Sequence, residues 1–512
     1  MRFSSNSNWV YIDIPLGALA LYYVVRLVRD YQRSRHRLPL PPGPRGLPLL
    51  GNLLDMPKEK DWETFAKWNE EYGDLVSVRV FNQTFVFISS PLVASDLFDR
   101  QSSIYSDRPV LPMAGELMGW KNSMGFTPYG STWRKIRRLS HQLLGTPGRV
   151  EVFHAHEEME TVKLLKRLLE RPEALKEHLR KTAGAIILRI SYGYQVKEGP
   201  RDPFVDLVNL AVEQVSQALA PGSFLVNLVP ALLHLPEWFP GAGFKQIAKE
   251  WGKSLSDTVE KPYEYVKEQM ASGTNETSFV SKLLSDSEKK LDSEEEFAIK
   301  WAAQSFYAAG SDTTVGVIYE FFKMMVLYPD VQAKAQEELD RVLGAWESDS
   351  SDQCNEDGEK KTRKLERLPL IKDRPHLPYV DALVKEVFRI FIVVPMGVPH
   401  MATEDNIYKG YFIPKGAICF ANIWKMTHDP VTYPDPMTFN PERFLGPNPQ
   451  KDPRELMFGF GRRICAGLHL ADLSVFISCA MVLATFNIDK AYDETSGAAL
   501  IPEEGSTSGA VV

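Results

Sequence analysis

One cysteine stands in a glycine-rich stretch whose spacing suits a thiolate bound to iron. The stretch reads Phe-Gly-Phe-Gly-Arg-Arg-Ile-Cys-Ala-Gly, begins at Phe458, and places Cys465 between Gly461 and Gly467. The two glycines allow a tight turn and the close approach of a bound ring, and Phe458 can pack beside the sulfur and keep water away. Arg463 can reach a carboxylate with a charge-assisted hydrogen bond. The pattern therefore predicts Cys465 as the axial ligand of a haem iron. A thiolate ligand favours O–O bond cleavage more than a histidine ligand does.

The alternative is a glycine-rich turn that holds a buried free cysteine, which is what a lone cysteine would favour. Several matched positions within ten residues favour haem ligation instead. The stretch resembles the haem-binding signature Phe-x-x-Gly-x-Arg-x-Cys-x-Gly of the cytochrome P450 family, and the resemblance extends in the right order over about residues 38–490. It implies a mainly α fold with a small β region, in a single catalytic domain.

A second polar cluster lies in the middle of a long apolar segment. It reads Ala-Gly-Ser-Asp-Thr-Thr and ends at Thr314. These residues are poor helix formers, so we expect a distorted helical turn there. Delivery of protons to dioxygen needs an acid beside an alcohol, and the cluster resembles the family's oxygen-activation motif, with Asp312 and Thr313 as the catalytic pair. The alternative is a polar helix face that meets a neighbouring element.

Two separated motifs together predict a buried charge network. Glu386 and Arg389 place opposite charges three residues apart on one helix face, a weak signal alone because such pairs are common on surfaces. A later Pro-Glu-Arg-Phe stretch carries Arg443. The two motifs resemble the family's Glu-x-x-Arg triad, whose implied role is structural: it fixes the loop that carries the cysteine.

Further positions resemble the family's contacts to the haem propionates. Trp133 and Arg137 match the family's Trp-x-x-x-Arg motif and share a helix face, and His400 stands where the family often has an arginine or a histidine. For His400 the alternative is an ordinary core or surface histidine. Neighbouring basic residues would form a face for an acidic electron donor, or simply a solvated basic helix. These residues are Arg134, Lys135 and Arg138.

The elements around these motifs are predicted to be mainly helical. A helix-like stretch at 62–72 precedes two strand-like runs at 75–81 and 84–88, which Asn82 and Gln83 would join as a hairpin. From about residue 130 the pattern is mainly helical, and 301–328 is predicted to be one long helix.

The composition is that of a globular protein and argues against several other classes. Of the 512 residues, 44% are hydrophobic and 24% are charged, and the net charge of −7 gives no sign of a nucleic-acid partner. The four cysteines include no Cys-x-x-Cys pair. This argues against a disulfide scaffold and a zinc site, and it fits a reducing compartment.

Residues 1–37 differ from the rest of the chain. A mostly apolar run at 9–28 overlaps and precedes a row of arginines, which predicts a single membrane anchor whose basic flank stays cytosolic. A cleaved signal peptide is the alternative. The catalytic domain would occupy 38–512, on the cytosolic side of the endoplasmic reticulum by resemblance to the family, with the acidic segment 345–366 as a disordered insertion. An aromatic loop at 236–241 is either a second membrane contact or an ordinary packed loop.

The resemblance implies a monooxygenase that inserts one atom of O₂ into a lipophilic small molecule. Electrons would come from NADPH through a separate cytochrome P450 reductase, with cytochrome b5 as a further donor. The pocket would be lined by 113–120, the helix around Ala309, and 393–398. The sequence looks most like fungal members, which often serve secondary metabolism or oxidise foreign compounds.

Two alternatives to a monooxygenase stay open. One is a haem-thiolate isomerase or dehydratase, which needs no reductase. The other is an inactive haem-binding product, because the tail ends where family members usually continue into a β-hairpin that reaches the pocket. NADPH dependence of turnover would separate the first alternative from a monooxygenase.

Overall fold

The structure, a computed structural model, describes residues 38–199, 201–220, 222–285, 291–344, 366–492, 496–500 and 502. The fold is mainly α-helical with a small β region, as the sequence predicts. The predicted anchor at 1–37 lies outside the described residues. So do the predicted insertion, apart from Glu366, and most of the C-terminal tail.

Eleven helices of twelve or more residues carry the fold in the described part of the chain. They are α1 (Asp61–Tyr72), α2 (Ser131–Leu144), α3 (His154–Glu170), α4 (Leu175–Tyr192), α5 (Pro203–Leu219), α6 (Gly243–Ser272), α7 (Ser293–Gly310), α8 (Thr313–Leu327), α9 (Pro329–Leu343), α10 (Pro378–Ile390) and α11 (Leu468–Thr485).

Shorter helical segments connect these helices. The α-helical ones are Pro91–Ala94, Ser102–Tyr105, Pro147–Val150, Leu225–Leu228, Phe279–Ser285, Ile423–Thr427 and Arg454–Met457. The 3₁₀ segments are Trp120–Asn122, Glu151–Phe153, Pro172–Ala174, Pro230–His234, Ile371–His376, Pro441–Phe444 and Gly461–Arg463. Two are π-helical, Ser95–Arg100 and Pro112–Leu117.

The strands form one four-stranded sheet and two short hairpins. They are β1 (Leu75–Val80), β2 (Gln83–Ile88), β3 (His400–Met401), β4 (Asn406–Tyr408), β5 (Tyr411–Ile413), β6 (Ile418–Ala421), β7 (Ala491–Tyr492) and β8 (Ala499–Leu500). The sheet order is β1-β2-β6-β3, with β2 and β6 parallel and the other pairs antiparallel. The predicted hairpin turn is shifted by one residue, because Gln83 already pairs with Val80 inside the ladder.

The predicted long helix at 301–328 is present as two helices. It begins earlier, at a capping box in which Asp292 and Glu295 bond each other's backbone N–H groups. It is interrupted after Gly310, and α8 begins at Thr313. The interruption falls at the polar cluster, where poor helix formers predicted a distorted turn.

Helix α11 follows the cysteine stretch directly and lies in the protein core. It packs against α3, α8, α9 and α10. Among the described residues it is the one helix that is long and apolar enough to cross a membrane, but 61% of it is buried inside the protein. Burial on this scale is expected of a core helix, so α11 gives the chain after Cys465 a rigid support.

A buried charge cluster, which we call the Glu386 cluster, ties α10 to the chain ahead of the cysteine. Arg389 donates two hydrogen bonds to the Glu386 carboxylate, at 2.7 and 2.8 Å, and Arg443 donates one at 3.0 Å. All three side chains are buried. Other N–H groups of the two arginines donate to backbone carbonyls between residues 427 and 438. The cluster therefore holds the irregular chain around residues 427–438 in one conformation.

Replacing Glu386 with alanine should strongly destabilise the protein. The change leaves two guanidinium groups buried beside each other without a carboxylate, which costs about 3–5 kcal/mol when one partner of a buried pair is removed. Urea unfolding of the holoprotein measures the loss. Glu442→Gln is the matched control, because Glu442 pairs with Lys334 on the surface, where an ion pair is worth at most about 1 kcal/mol. Equal effects of the two changes would contradict the assignment.

Candidate active site

The cysteine loop has the tight geometry that its glycines predict. The Cys465 N–H donates to the Phe458 carbonyl at 2.8 Å, which closes the loop. Gly461 has φ +58°, and a Cβ at this position would overlap the Phe98 carbonyl oxygen. Only glycine meets both conditions without strain. Gly467 has an ordinary negative φ, and the space beside it is open.

The Cys465 side chain lines an internal space. Its surface is accessible, yet burial raises the pKa of the thiol. The side chain is accessible because empty space adjoins the sulfur. It is also desolvated, because protein surrounds that space. The backbone N–H of Gly467 and the Arg137 guanidinium act in the opposite direction and lower the pKa of Cys465. These two groups are the ones that would stabilise a thiolate.

Three arginines, the buried Arg108 and the half-buried Arg137 and Arg463, cluster near this space with little opposing charge. Burial lowers the pKa of Arg108 well below its usual value, with Arg463 as a further cause, and burial lowers that of Arg463 to about 10, with Arg137 as a further cause. Asp107 is the carboxylate that acts against both shifts. Three guanidinium groups facing one carboxylate leave a local excess of positive charge. A bound group that carries two carboxylates would neutralise it.

Arg463 is largely engaged by backbone carbonyls. Its N–H groups donate to the carbonyls of Ser106, Met124 and Thr127 at 2.8, 3.2 and 2.8 Å. The guanidinium also lies over the Trp133 ring, 4.4 Å from its centroid. Arg463 thus ties the cysteine loop to the segment 106–127, a role that the sequence analysis did not foresee.

Trp133 offers an unused donor at the same place. The indole is buried, and its Nε1–H has no hydrogen-bond partner among the described residues. An unmet buried donor is costly, so a ligand acceptor is expected there. Helix α2 places Trp133 and Arg137 one turn apart on one face.

His400 lies in β3, near Arg108 and Arg463. Its Nδ1–H donates to the Tyr105 carbonyl at 2.6 Å, and its ring stacks on Phe98 at 4.1 Å. Burial lowers its pKa well below the usual value, and the nearby cations Arg108 and Arg463 lower it further. These causes all disfavour the charged ring, and a carboxylate brought beside it would raise its pKa.

Together these residues fit a haem. Cys465 would supply the sulfur, the Trp133 indole would supply a donor that is unused in the described residues, and the three arginines would supply positive charge near two propionates. Phe458 is half-buried, and its ring packs edge-on against Phe388 at 6.0 Å. The predicted residues on the cysteine side of the site are thus brought together.

The interruption between α7 and α8 forms another part of the site. Thr313 Oγ1 donates to the Ala309 carbonyl at 2.8 Å, and Ser311 Oγ donates to the Ala308 carbonyl at 3.1 Å. Such bonds to the preceding turn bend helices. Ala309 is exposed although most of its helix is buried, which indicates that the bend borders a cavity.

Asp312 has a partner that the sequence analysis missed. Its carboxylate lies 3.6 Å from the Arg180 guanidinium of α4, and both side chains are partly exposed. Arg108 was also missed, although it donates to the carbonyls of Gly125, Val398 and Pro399. Both arginines act across long sequence separations, and no local pattern marks either of them.

Two open cavities border the protein surface in the described region. One, of about 320 Å³, lies against the basic face of α2. It is lined by Trp133, Arg134, Arg137, Arg138, His141 and Gln142. A larger one, of about 700 Å³, lies between Glu151 and Asp381 and contains none of the predicted site residues. Size alone therefore does not mark the reactive site of this protein.

Replacing Cys465 with serine should remove the thiolate signature of the bound haem. The sulfur is the only part of the proposed ligand that changes, so the reduced carbon monoxide complex should lose the absorption band typical of thiolate ligation. Cys419→Ala is the control, because Cys419 is a buried thiol in β6, away from the loop. A mutant that keeps the band, or a control that loses it, would show that Cys465 is not the ligand.

Comparison with known proteins gives the same family as the site. The cytochrome P450 family model matches residues 41–499. Cytochrome P450 monooxygenase 208 of Postia placenta is 45% identical over 505 residues, which cover 98% of this chain and 94% of the relative. Cytochrome P450 monooxygenase claR of Ampulloclitocybe clavipes is 42% identical over 100% of this chain and 90% of the relative. Cytochrome P450 monooxygenase ppsD of Aspergillus oryzae is 44% identical over 91% of this chain and 85% of the relative. The chain belongs to the cytochrome P450 family of haem-thiolate monooxygenases.

Proposed function

We propose that this monooxygenase inserts one oxygen atom of O₂ into a lipophilic organic substrate, in fungal secondary metabolism or in the oxidation of foreign compounds. The observation that carries the proposal is the bend between α7 and α8, which places Asp312 and Thr313 beside an exposed Ala309. An isomerase would need no such acid and alcohol. Relatives of similar length are named monooxygenases.

The haem, when bound, supplies the chemistry of O₂ activation. Cys465 would hold the iron, since Gly467 and Arg137 favour its thiolate. Trp133 and the arginines would orient the ring through its propionates. The protein's own contribution is therefore orientation, charge and the supply of protons.

Asp312 and Thr313 are the residues that would move protons. The Asp312 carboxylate is partly exposed and paired with Arg180, so it can exchange protons with solvent at one end. The Thr313 hydroxyl donates to the Ala309 carbonyl at the bend and can rotate away from it to donate into the cavity. Arg180 would act as a positioning residue that holds the Asp312 side chain.

The surroundings of the bend support a lipophilic substrate. Met113 and Ala114 are buried, and Phe391 and Val393 lie next to Gly316 on α8. Apolar walls with few polar groups are typical of sites for lipophilic ligands. The sequence predicted 113–120 and 393–398 as lining, which includes Met113, Ala114 and Val393 but not Phe391, and the place of Val393 beside α8 supports the proposal.

The basic face of α2 would receive the electron donor. Arg134 and Arg138 are exposed beside the 320 Å³ cavity, and Lys135 reaches Glu294 at 3.3 Å. Trp133 and Arg137 on the same helix face the haem site. An acidic partner such as NADPH–cytochrome P450 reductase, or cytochrome b5, would dock here by charge complementarity.

Replacing Thr313 with alanine should uncouple electron use from product formation. Without the hydroxyl, protons reach dioxygen poorly, so hydrogen peroxide should rise and product should fall, within the roughly 10²–10⁴-fold range of proton-transfer groups. The measurement is the ratio of product formed to NADPH consumed with reductase present. Thr314→Ala is the control, because it removes a threonine hydroxyl from the same turn but leaves that of Thr313 in place. An unchanged ratio in the Thr313 variant would leave Thr313 as a merely polar residue in a bent helix.

We also propose a cytosolic catalytic domain anchored to the endoplasmic reticulum membrane by residues 1–37. The support for the anchor itself is the sequence pattern. In the described residues, Trp238 is 80% exposed, and Phe239 beside it is also exposed. Leu225, Leu228 and Val229 are exposed nearby along the chain. Exposed aromatic and aliphatic side chains of this kind suit a membrane surface.

Removing residues 1–37 should release the protein from membranes only in part. The deletion removes the proposed span but leaves the exposed aromatic loop as a weaker contact. Fractionation of cells that express the truncated chain measures the remainder, and adding Trp238→Asp should release most of it. A full-length protein that is already soluble would rule out the anchor.

A further inference from the structure

Helix α10 takes part in a second group of ion pairs besides the Glu386 cluster. Asp472 accepts two hydrogen bonds from Arg374, at 2.7 and 3.0 Å, and one from Arg454, at 2.9 Å. Arg374 also donates to Asp381 of α10, at 2.8 and 2.6 Å. We call this group the Asp472 cluster; its members are Arg374, Asp381, Lys385, Asp452, Arg454 and Asp472.

The Asp472 cluster closes the chain on both sides of Cys465. Arg454 begins the short helix Arg454–Met457, which precedes the cysteine loop, and Asp472 lies in the second turn of α11, which follows the loop. The hydrogen bond between these two side chains therefore joins the flanks of the loop. Inside it, the Cys465 N–H donates to the Phe458 carbonyl. The loop is thus closed at its base by side chains and within by the backbone.

Arg374 ties the base of the loop to α10. Its guanidinium bonds Asp472 and Asp381 at the same time, and it lies over the buried Phe476 ring of α11, 4.7 Å from the ring centroid. A planar guanidinium that has carboxylates at its edges and a ring on its face has few alternative orientations. Helix α10 therefore holds the chain around 427–443 through the Glu386 cluster and the flanks of the cysteine loop through the Asp472 cluster.

The exposure of the Asp472 cluster lies between that of a surface pair and that of a buried pair. The side chains of Arg374, Asp381, Asp472 and Arg454 are 16–24% exposed. Surface ion pairs contribute little to stability, whereas a fully buried pair leaves an uncompensated charge in the interior when one partner is removed. Loss of one carboxylate from this cluster should therefore loosen the cysteine loop without unfolding the protein.

We propose that Asp472 is a positioning residue for haem ligation, which joins the two flanks of the cysteine loop to α10 and so keeps Cys465 in place for the iron–sulfur bond. This rests on the proposed function, because it takes Cys465 as the ligand of the iron. Groups behind a metal ligand fix its orientation, and contacts to the ligand sulfur tune the metal. If the base of the loop opens, the sulfur takes several positions instead of one.

Asp472→Asn tests the proposal on the full-length holoenzyme. An amide has one acceptor oxygen and no charge, so it holds Arg374 and Arg454 more weakly than the carboxylate does. The reduced carbon monoxide complex should lose its thiolate absorption band about fivefold to tenfold faster than the wild type, the factor by which one hydrogen bond changes an equilibrium. The iron–sulfur band in resonance Raman spectra of the ferric enzyme should broaden and shift. Asp472→Glu keeps the carboxylate and should restore most of the wild-type behaviour.

Asp452→Asn provides the matched control. Asp452 accepts hydrogen bonds from Arg454 at 2.6–3.1 Å, but it lies two residues before Arg454 and does not bridge the loop. The change removes the same charge from the same cluster, and it should leave both bands as in the wild type. Equal effects of the two changes, or a wild-type rate and Raman band in Asp472→Asn, would overturn the proposal. A wild type that lacks the thiolate band would instead refute Cys465 as the ligand, so the two failures are distinguishable.

Arg374→Lys decides the case if Asp472→Asn yields no holoenzyme. Lysine keeps the charge, but its ammonium group lacks the planar fork that bonds Asp381 and Asp472 together. Loss of the thiolate band should accelerate more than global unfolding, which urea unfolding followed by circular dichroism measures separately. A purely structural role of the cluster would change the two rates in parallel. Parallel changes, or a band that is lost no faster than in the wild type, would overturn the proposal.

Discussion

If Cys465 holds the haem iron, as we propose, the structure has to stabilise one thiolate inside the protein. Burial favours the neutral thiol and raises the pKa of Cys465, whereas the Gly467 N–H and the Arg137 guanidinium favour the thiolate. A bound iron would complete this balance by taking the thiolate as its ligand. The loop must therefore aim backbone N–H groups and a cation at the sulfur while leaving one side of it open, and Gly461 makes the required turn possible.

The same constraint explains why so many positive charges lie in the interior. Arg108, Arg137 and Arg463 would repel one another without anions, and Asp107 alone does not balance them. A ligand that brings carboxylates would neutralise this excess of positive charge. Arg463 adds a mechanical role, because its carbonyl contacts join the cysteine loop to the segment 106–127. A change at the cysteine loop would therefore also disturb the segment 106–127.

The Glu386 cluster and α11 support the loop from two other sides. The cluster fixes the irregular chain that precedes the cysteine, and α11 continues from it into the core. Burying an ion pair adds little net stability, but removing one partner of a buried pair is strongly destabilising. This suits a site whose ligand sulfur and proton-delivering side chains come from distant elements.

The sequence predicts features formed by residues close together in the chain, but not contacts between residues far apart in it. The cysteine stretch, the polar cluster at Asp312 and Thr313, and the poor helix formers that bend the chain there all act within a few residues, so spacing alone reveals them. The partners Arg180 and Arg108 act across long separations, and each looks like an ordinary residue in the sequence. Arg463 shows the limit clearly: its type and position are readable, but its three carbonyl partners are set by tertiary folding.

Resonance Raman spectroscopy of the ferric holoenzyme tests the central claim most directly. Protein grown with ³⁴S-cysteine should show an iron–sulfur stretching band at lower frequency than protein with natural sulfur, because the heavier atom vibrates more slowly. Among the three cysteines that the structure describes, Cys465 is the exposed one, while Cys419 and Cys479 are buried. A spectrum without any sulfur-sensitive band would contradict the account, since the iron would then be held by another ligand.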